Sequence, residues 1–136
     1  MANADLAYQH ALDRLAAVGF DNMSERERDI ATLWHVEAEV TNGGFVHYYS
    51  GPRGDLAAYA PEALARLGAT EKAAIVRTAN ALFGPSGPPR DRAARQAMLK
   101  ALSPGALATI DELEDRYIAD PVDVDELVER FTGNAP

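Results

Sequence analysis

The sequence predicts an all-α fold, a single compact domain of about seven short helices spanning residues 1–136. Apolar residues recur every three or four positions along most of the chain, which is the period of one helix face. No stretch shows the two-residue alternation that is typical of a strand. Glycines, prolines and N-capping residues separate the periodic stretches. With 47% hydrophobic residues, the chain is large enough to bury one core.

The N-terminal part should begin with a helix over residues 4–18, ended by a left-handed cap at Gly19. Ser24 and, three residues later, Glu27 have the capping-box spacing, which predicts the start of a second helix. That helix should run to about Val40 and stop at an Asn-Gly-Gly turn, where the backbone is most permissive.

The middle of the chain should contain a short aromatic helix over residues 45–50, with Asp55 as N-cap of the segment that follows. Pro61 has no amide to donate, so it should start a new helix or kink one. After a stop at Gly68, Thr70 should cap the next helix. The predicted buried stripe of that helix comprises Ala74, Ile75, Ala79, Leu82 and Phe83.

The C-terminal part should contain three more helices, after a loop over residues 84–90 that is too short to separate domains. We expect these helices over residues 91–102, over residues 103–118 with Pro104 in the first turn, and over residues 123–131.

Charge is distributed unevenly within a formal net charge of −8. Residues 53–102 contain four acids and eight bases, whereas residues 103–136 contain nine acids and two bases. A negative total argues against nucleic acid as a direct partner. No apolar run approaches membrane-spanning length, and the acidic N-terminus does not resemble a signal peptide. The absence of cysteine suits a reducing compartment, so we expect a cytoplasmic protein.

The histidines and glutamates of residues 33–55 are candidates for chemistry. On a helical wheel, His35 and Glu39 lie on the predicted solvent face, whereas Glu37 lies on the apolar stripe with Leu33. His47 would have to fold back from the next helix to join them. Because a zinc site needs at least three convergent ligands, we expect no metal and no cofactor.

Glu37 needs a hydrogen-bonding partner if it is buried, because desolvation of a carboxylate is costly. The free backbone amides of the Asn-Gly-Gly-Phe stretch are the expected donors, with Tyr48 and Tyr49 as candidates for the same network. The alternative is a hydrolase-type enzyme with Glu37 as general base, assisted by His35 or His47. No nucleophile pairs with Glu37, so no catalytic residue is assigned.

A recognisable sequence pattern begins with Glu37, the Asn-Gly-Gly-Phe stretch at residues 42–45 and the Tyr-Tyr pair at residues 48–49. It continues in Gly54-Asp55, in EALARLGA at residues 62–69 and in ANALF at residues 79–83. It resembles a bacterial domain-of-unknown-function family whose best-known member is a dimeric DNA-mimic protein. The resemblance covers residues 30–85 well and the C-terminal acidic helices at residues 103–131 loosely. Its structural signature comprises Glu37, Asn42, Gly43, Gly44, Phe45, Tyr48 and Tyr49.

The resemblance implies an all-α fold and a protein partner. The family's characterised member occupies the DNA-binding surface of a helix-turn-helix regulator, so the resemblance also implies a basic DNA-binding regulator as that partner. A shared fold does not by itself carry a shared function.

Acidic side chains on the last two predicted helices are the candidate partner-binding face. Carboxylates three and four residues apart on a helix stand about 5–6 Å from one another at Cβ, on the scale of neighbouring phosphates. Such an array could meet Lys and Arg side chains that normally bind DNA, although charged faces are usually only solvated. The predicted face comprises Asp111, Glu112, Asp115, Asp123, Asp125, Glu126 and Glu129.

Two other uses of this acidic face remain open. An immunity-type inhibitor of a basic nuclease would need the same kind of surface. Two acidic helices side by side would also permit a homodimer, in which the acids of one copy meet Arg90, Arg92 and Arg95 of the other.

Overall fold

The computed structural model describes residues 3–133, which form seven α-helices, two short 3₁₀ helices and no strand. The prediction of an all-α fold is therefore confirmed for the described part of the chain. The α-helices are α1 (Asn3–Val18), α2 (Glu25–Ser50), α3 (Ala60–Arg66), α4 (Thr70–Ala81), α5 (Arg92–Lys100), α6 (Pro104–Ala119) and α7 (Val124–Gly133). The 3₁₀ helices are Phe20–Asn22 and Pro52–Leu56.

Local signals account for most helix boundaries. The Ser24 hydroxyl accepts a hydrogen bond from the Glu27 amide, and the Glu27 carboxylate accepts one from the Ser24 amide, so the predicted capping box is confirmed. Gly19 and Gly68 follow helix ends with positive φ angles of 79° and 97°. Pro61 lies in the first turn of α3, where its missing amide costs no hydrogen bond.

Two predicted caps are wrong. Thr70 is the first residue of α4 and makes no side-chain cap, because the preceding Ala69 occupies the N-cap position. Asp55 lies inside the second 3₁₀ helix, where its carboxylate accepts a hydrogen bond from Arg95 instead of capping a helix.

The buried face of α4 also differs from the predicted stripe. Ala74 is exposed, whereas Lys72 and Val76 are buried. Both α3 and α6 pack against α4, so the buried surface of this helix is wider than a single stripe and includes the aliphatic stem of a lysine.

Helix α2 is the centre of the molecule. It packs against α1, α3, α5, α6 and the 3₁₀ helix Pro52–Leu56, while α4 bridges α3 and α6, and α7 packs against α1. This arrangement encloses a hydrophobic core that includes residues of all seven α-helices. Its largest fully buried apolar side chains include Leu33, Phe45, Tyr48, Tyr49, Leu64, Ile75, Ile110 and Tyr117.

None of the helices formed by residues 3–133 combines the length and the apolar character that crossing a membrane requires.

Candidate functional site

The break in α2 lies at Gly44, where φ is 86° and ψ is 178°. The helical axis therefore changes at the Asn-Gly-Gly turn, as the sequence predicts, and the aromatic segment continues to Ser50. The Phe45 amide that this break frees donates a hydrogen bond at 2.9 Å to Oε1 of Glu114 in α6. A side chain at position 44 would collide with the same carboxylate. Glu114 thus caps the aromatic segment from a different helix.

The prediction that Glu37 makes this cap is wrong. Its side chain is 27% exposed, and its carboxylate accepts a hydrogen bond at 2.6 Å from the Tyr117 hydroxyl. The Lys72 ammonium lies 3.7 Å from the same carboxylate and donates a hydrogen bond to the Tyr117 carbonyl. Glu37 therefore joins α2 to α4 and α6 at the edge of the core.

Tyr117 is held in its neutral form by this arrangement. Burial and the neighbouring Glu37 carboxylate raise the pKa of Tyr117 far above its usual value. The Lys72 ammonium also lies 3.7 Å from the centre of the Tyr117 ring. The buried Lys72 ammonium is thus satisfied by a carboxylate, a backbone carbonyl and an aromatic face. Because Glu37, Lys72 and Tyr117 lie on α2, α4 and α6, their contacts join these three helices.

His35 is buried, with 8% of its surface exposed, so its predicted place on the solvent face is wrong. The 3₁₀ helix Pro52–Leu56 packs against α2, and His35 lines a cavity of about 210 Å³ together with Leu15, Phe20 and Leu56. Its Nδ1 is buried and has no hydrogen-bond partner among residues 3–133. Burial, reinforced by the positive charge of Arg53, lowers the pKa of His35 to about 4.

Nε2 of His47 lies within hydrogen-bonding distance of the Glu39 carboxylate, at 3.0 Å, and Arg53 approaches the same carboxylate at 3.7 Å. The Glu39 side chain is only 17% exposed, which corrects its expected place on the solvent face. Glu39 therefore pairs with His47 across the break in α2 instead of with His35. Within residues 3–133 no three His, Asp or Glu side chains are grouped in a way that could hold a metal ion.

The aromatic residues of the signature belong to the core. Phe45, Tyr48 and Tyr49 are fully buried. The Tyr49 hydroxyl donates a hydrogen bond at 2.7 Å to the side-chain oxygen of Asn80, whose amide in turn donates to the Ala57 carbonyl at 2.8 Å. The Tyr48 hydroxyl has no partner within the described residues. Neither tyrosine extends the network of Glu37, so their role is packing and, for Tyr49, a buried link between α2 and α4.

Arg95 is a structural residue that sequence reasoning misplaced on the surface. Its side chain is fully buried, and its guanidinium donates to the Asp55 carboxylate at 2.8 Å. The same group also donates to backbone carbonyls of the α2 end and of the loop before α5, namely those of Tyr49, Gly51, Pro89 and Arg90. A sequence signal exists, because Arg95 lies one helical turn before the apolar Leu99 and therefore on the same side of the helix.

Gly54 is explained by the same arrangement. A Cβ atom at this position would collide with the Tyr48 carbonyl and lie 3.2 Å from Nε of Arg95. The second 3₁₀ helix can therefore approach the end of α2 only if residue 54 has no side chain.

The acidic residues of α6 are free of internal ion pairs. Asp111, Glu112 and Asp115 are exposed, and none of them pairs with a base within the described residues. The helix packs its other face against α4 and α2. These three carboxylates are therefore directed to solvent, and the one base of α6, Arg116, pairs with Glu71 of α4 instead of with them.

The acidic residues of α7 are engaged more closely. Asp123 accepts a hydrogen bond from the Glu126 amide at 3.1 Å, and Asp125 accepts one from the Tyr8 hydroxyl at 2.8 Å. Glu126 also pairs with Arg130, and Glu129 is half-buried. Because α7 packs against α1 and α6 packs against α4 and α2, the two acidic helices do not form the packed pair that the sequence suggested.

The bases of the predicted homodimer contact are largely occupied. Arg95 is buried and cannot reach another molecule, which removes it from that interface. Arg90 pairs with Asp21 at 3.4 Å, and Arg92 approaches Asp55 at 3.7 Å.

Five cavities of the described residues do not bring the predicted catalytic groups together. One of them, of about 610 Å³, lies between α3, α4 and the loop after α4, and is lined by residues that include Arg77 and Asn80. Glu37 lines none of these cavities, and His35 lines one without Glu37 or His47. The groups of the hydrolase alternative are thus separated.

Comparison with known proteins identifies a family for most of the chain. A protein-family model described as DMP19-like protein matches residues 21–133, which includes both the Asn-Gly-Gly-Phe stretch and the acidic C-terminal helices. No curated protein and no solved structure shows significant similarity to the chain.

Proposed function

From the premise that the chain belongs to the DMP19-like protein family, we propose that it acts by binding another protein through an acidic surface. In the specific form of the proposal, the protein is a DNA mimic that occupies the DNA-binding surface of a basic helix-turn-helix regulator. It would do so in the cytoplasm without metal, cofactor or direct contact with nucleic acid.

The observation that carries the proposal is the set of unpaired carboxylates on α6. Asp111 and Asp115 are one helical turn apart, and Glu112 lies three residues before Asp115. Most bases of the chain are committed elsewhere, as in the pairs of Arg66 with Asp29 and Arg95 with Asp55. The negative charge of α6 is therefore available to an external cation.

Residues of α7 play a smaller part in this proposal. Asp125 and Glu126 each already have a partner within the molecule, and Asp123 caps its own helix. A cation that binds them must compete with these contacts, so α6 should contribute more to partner binding than α7.

Affinity capture from a native lysate, at low and at high salt, tests the proposal. A basic DNA-binding protein should be retained at low salt and released at high salt, because the contacts are ionic. Duplex DNA added to the lysate should compete for it. If no protein is retained at either salt concentration, the proposal fails; a basic nuclease in the retained fraction would replace mimicry with immunity-type inhibition.

Charge-neutralised variants locate the surface. The variant with Asp111→Asn, Glu112→Gln and Asp115→Asn should lose the retained protein. A variant with Asp5→Asn and Asp13→Asn, which removes two exposed acids of α1, is the control for charge loss on another helix and should keep it. Equal retention by both variants would exclude α6 as the binding face.

We also propose that the protein forms a homodimer, in which Arg90 and Arg92 of one copy give up their exposed internal contacts with Asp21 and Asp55 and meet acids of the other copy. Sedimentation at two salt concentrations tests this contact, since an ionic interface should weaken as salt rises. A monomer at both concentrations would contradict it.

A further inference from the structure

An apolar groove lies where the end of α2, the end of α5 and the start of α6 meet. It has a volume of about 460 Å³, and its apolar lining consists of Val46, Leu99 and Leu107. Val46 is 43% exposed and Leu107 is 38% exposed, although both are aliphatic. Single exposed apolar side chains are ordinary, but neighbouring ones that share a groove are typical of an interaction surface.

The polar groups of this groove are already engaged within the molecule. The Gln96 side-chain amide donates to the Ser50 carbonyl at 2.7 Å, and the Ser50 hydroxyl donates to the His47 carbonyl. The groove therefore offers mainly apolar contact to an occupant. Its one charged lining residue is Lys100, which forms no ion pair within the described residues.

Negatively charged side chains of α6 lie next to the wall of the groove that Leu107 forms. Leu107 is followed one helical turn later by Asp111, and Asp111 is followed one turn later by Asp115. An occupant that complements this wall must be apolar toward Leu107 and positive toward the two carboxylates. Lys100 on the other wall favours a negative group, which the C-terminal end of a helix also supplies.

We propose that the groove receives an amphipathic helix of the protein partner. Aliphatic side chains of that helix lie between Val46, Leu99 and Leu107, and its basic side chains lie along Asp111 and Asp115. This inference rests on the proposed function, because it specifies which segment the partner presents to the acidic face. An extended peptide is disfavoured, since residues 3–133 contain no strand whose edge it could join.

The two parts of this surface make different contributions to binding. The carboxylates attract the partner and lose their effect as salt rises. The groove removes apolar surface from water, and this contribution does not weaken with salt. Binding should therefore fall with salt to a plateau that depends on the groove.

Titration of the full chain with a labelled synthetic peptide tests the inference. The peptide has about 15 residues, with leucines on one helical face and arginines beside them. A second peptide of the same composition but scrambled order has no apolar face. The first should bind and shift the methyl NMR signals of Val46, Leu99 and Leu107, and the second should bind only at low salt.

Three variants separate the contributions. Val46→Thr with Leu107→Gln should weaken binding of the first peptide about tenfold or more at both salt concentrations. Asp111→Asn with Asp115→Asn should weaken it only at low salt. Ile118→Gln, which changes an exposed aliphatic residue of α6 outside the groove lining, is the control and should bind like the wild type.

The outcomes distinguish this inference from the proposed function. If the groove variant binds like the wild type while the acid variant is weakened, the groove has no role and the acidic surface still stands. If only the groove variant is weakened, the charge-based function fails. If the wild type does not bind the first peptide, or the methyl shifts lie elsewhere, the inference is overturned.

Discussion

The carboxylate of Glu114 in α6 accepts a hydrogen bond from the backbone amide of Phe45, a residue 69 positions earlier in the chain. This contact places α6 against the break in α2 and fills the space beside Gly44. The helix that presents the unpaired acids is therefore positioned by a residue of the Asn-Gly-Gly-Phe stretch. The Asn-Gly-Gly-Phe stretch and the proposed binding face are parts of one arrangement.

Replacing Glu114 by alanine should lower the free energy of unfolding by about 1–3 kcal/mol, because the Phe45 amide loses its partner. Urea unfolding measures the change. Glu112→Ala is the control, since Glu112 is exposed on the same helix and should change stability by no more than about 0.5 kcal/mol. Equal effects of the two substitutions would contradict the capping role.

Replacing Gly44 by alanine should be more destabilising than the same change at Gly19. Both glycines have positive φ and extended ψ, a conformation that costs other residues about 1–3 kcal/mol. A Cβ at Gly19 meets open space, whereas one at Gly44 collides with the Glu114 carboxylate. Thermal or urea unfolding of both variants gives the difference.

A double-mutant cycle identifies the cause of that difference. In the Glu114→Ala background, Gly44→Ala should cost no more than Gly19→Ala, since the colliding carboxylate is gone. Strict additivity of the two changes would show that the collision is unimportant.

Replacing Arg95 by lysine should destabilise the fold by about 3 kcal/mol. An ammonium has three donors and no planar fork, whereas the guanidinium serves four carbonyls and the Asp55 carboxylate. Arg92→Lys is the matched control, because Arg92 is half exposed and should change stability little. Chemical unfolding should show a large shift for Arg95 and almost none for Arg92.

Stability should fall as the pH drops from about 6.5 to about 4, with a contribution from His35. Burial lowers the pKa of His35 in the folded protein to about 4, so the unfolded chain binds this proton first on acidification. The stabilisation that comes from neutral His35 is complete above the pKa of this group in the unfolded chain. It is lost as the pH falls to the pKa of His35 in the folded protein, and the total loss is about 3 kcal/mol.

Urea unfolding between pH 5 and pH 7, compared with His35→Gln, isolates this effect from that of the carboxylates. The variant should show a smaller dependence of stability on pH across this window. Parallel curves for wild type and variant would show that His35 is not buried in its neutral form.

The helices and the breaks between them could be predicted because their signals are local. The Ser24–Glu27 capping box, the positive φ angles at Gly19 and Gly68, and Pro61 in a first turn all depend on residues within a few positions of one another. The net negative charge of residues 103–136 can also be read directly from the sequence.

The sequence by itself thus determined the all-α fold, the break in α2 at the Asn-Gly-Gly turn and the acidic character of the C-terminal region. Only the tertiary structure decided that Glu114 caps Phe45, that His35 is buried and that Arg95 is internal. A helical wheel places a side chain relative to its own helix axis. It does not show which other segments pack on that helix, so a face that looks exposed can be covered by a neighbouring segment that folds back on it, as the 3₁₀ helix Pro52–Leu56 does on α2.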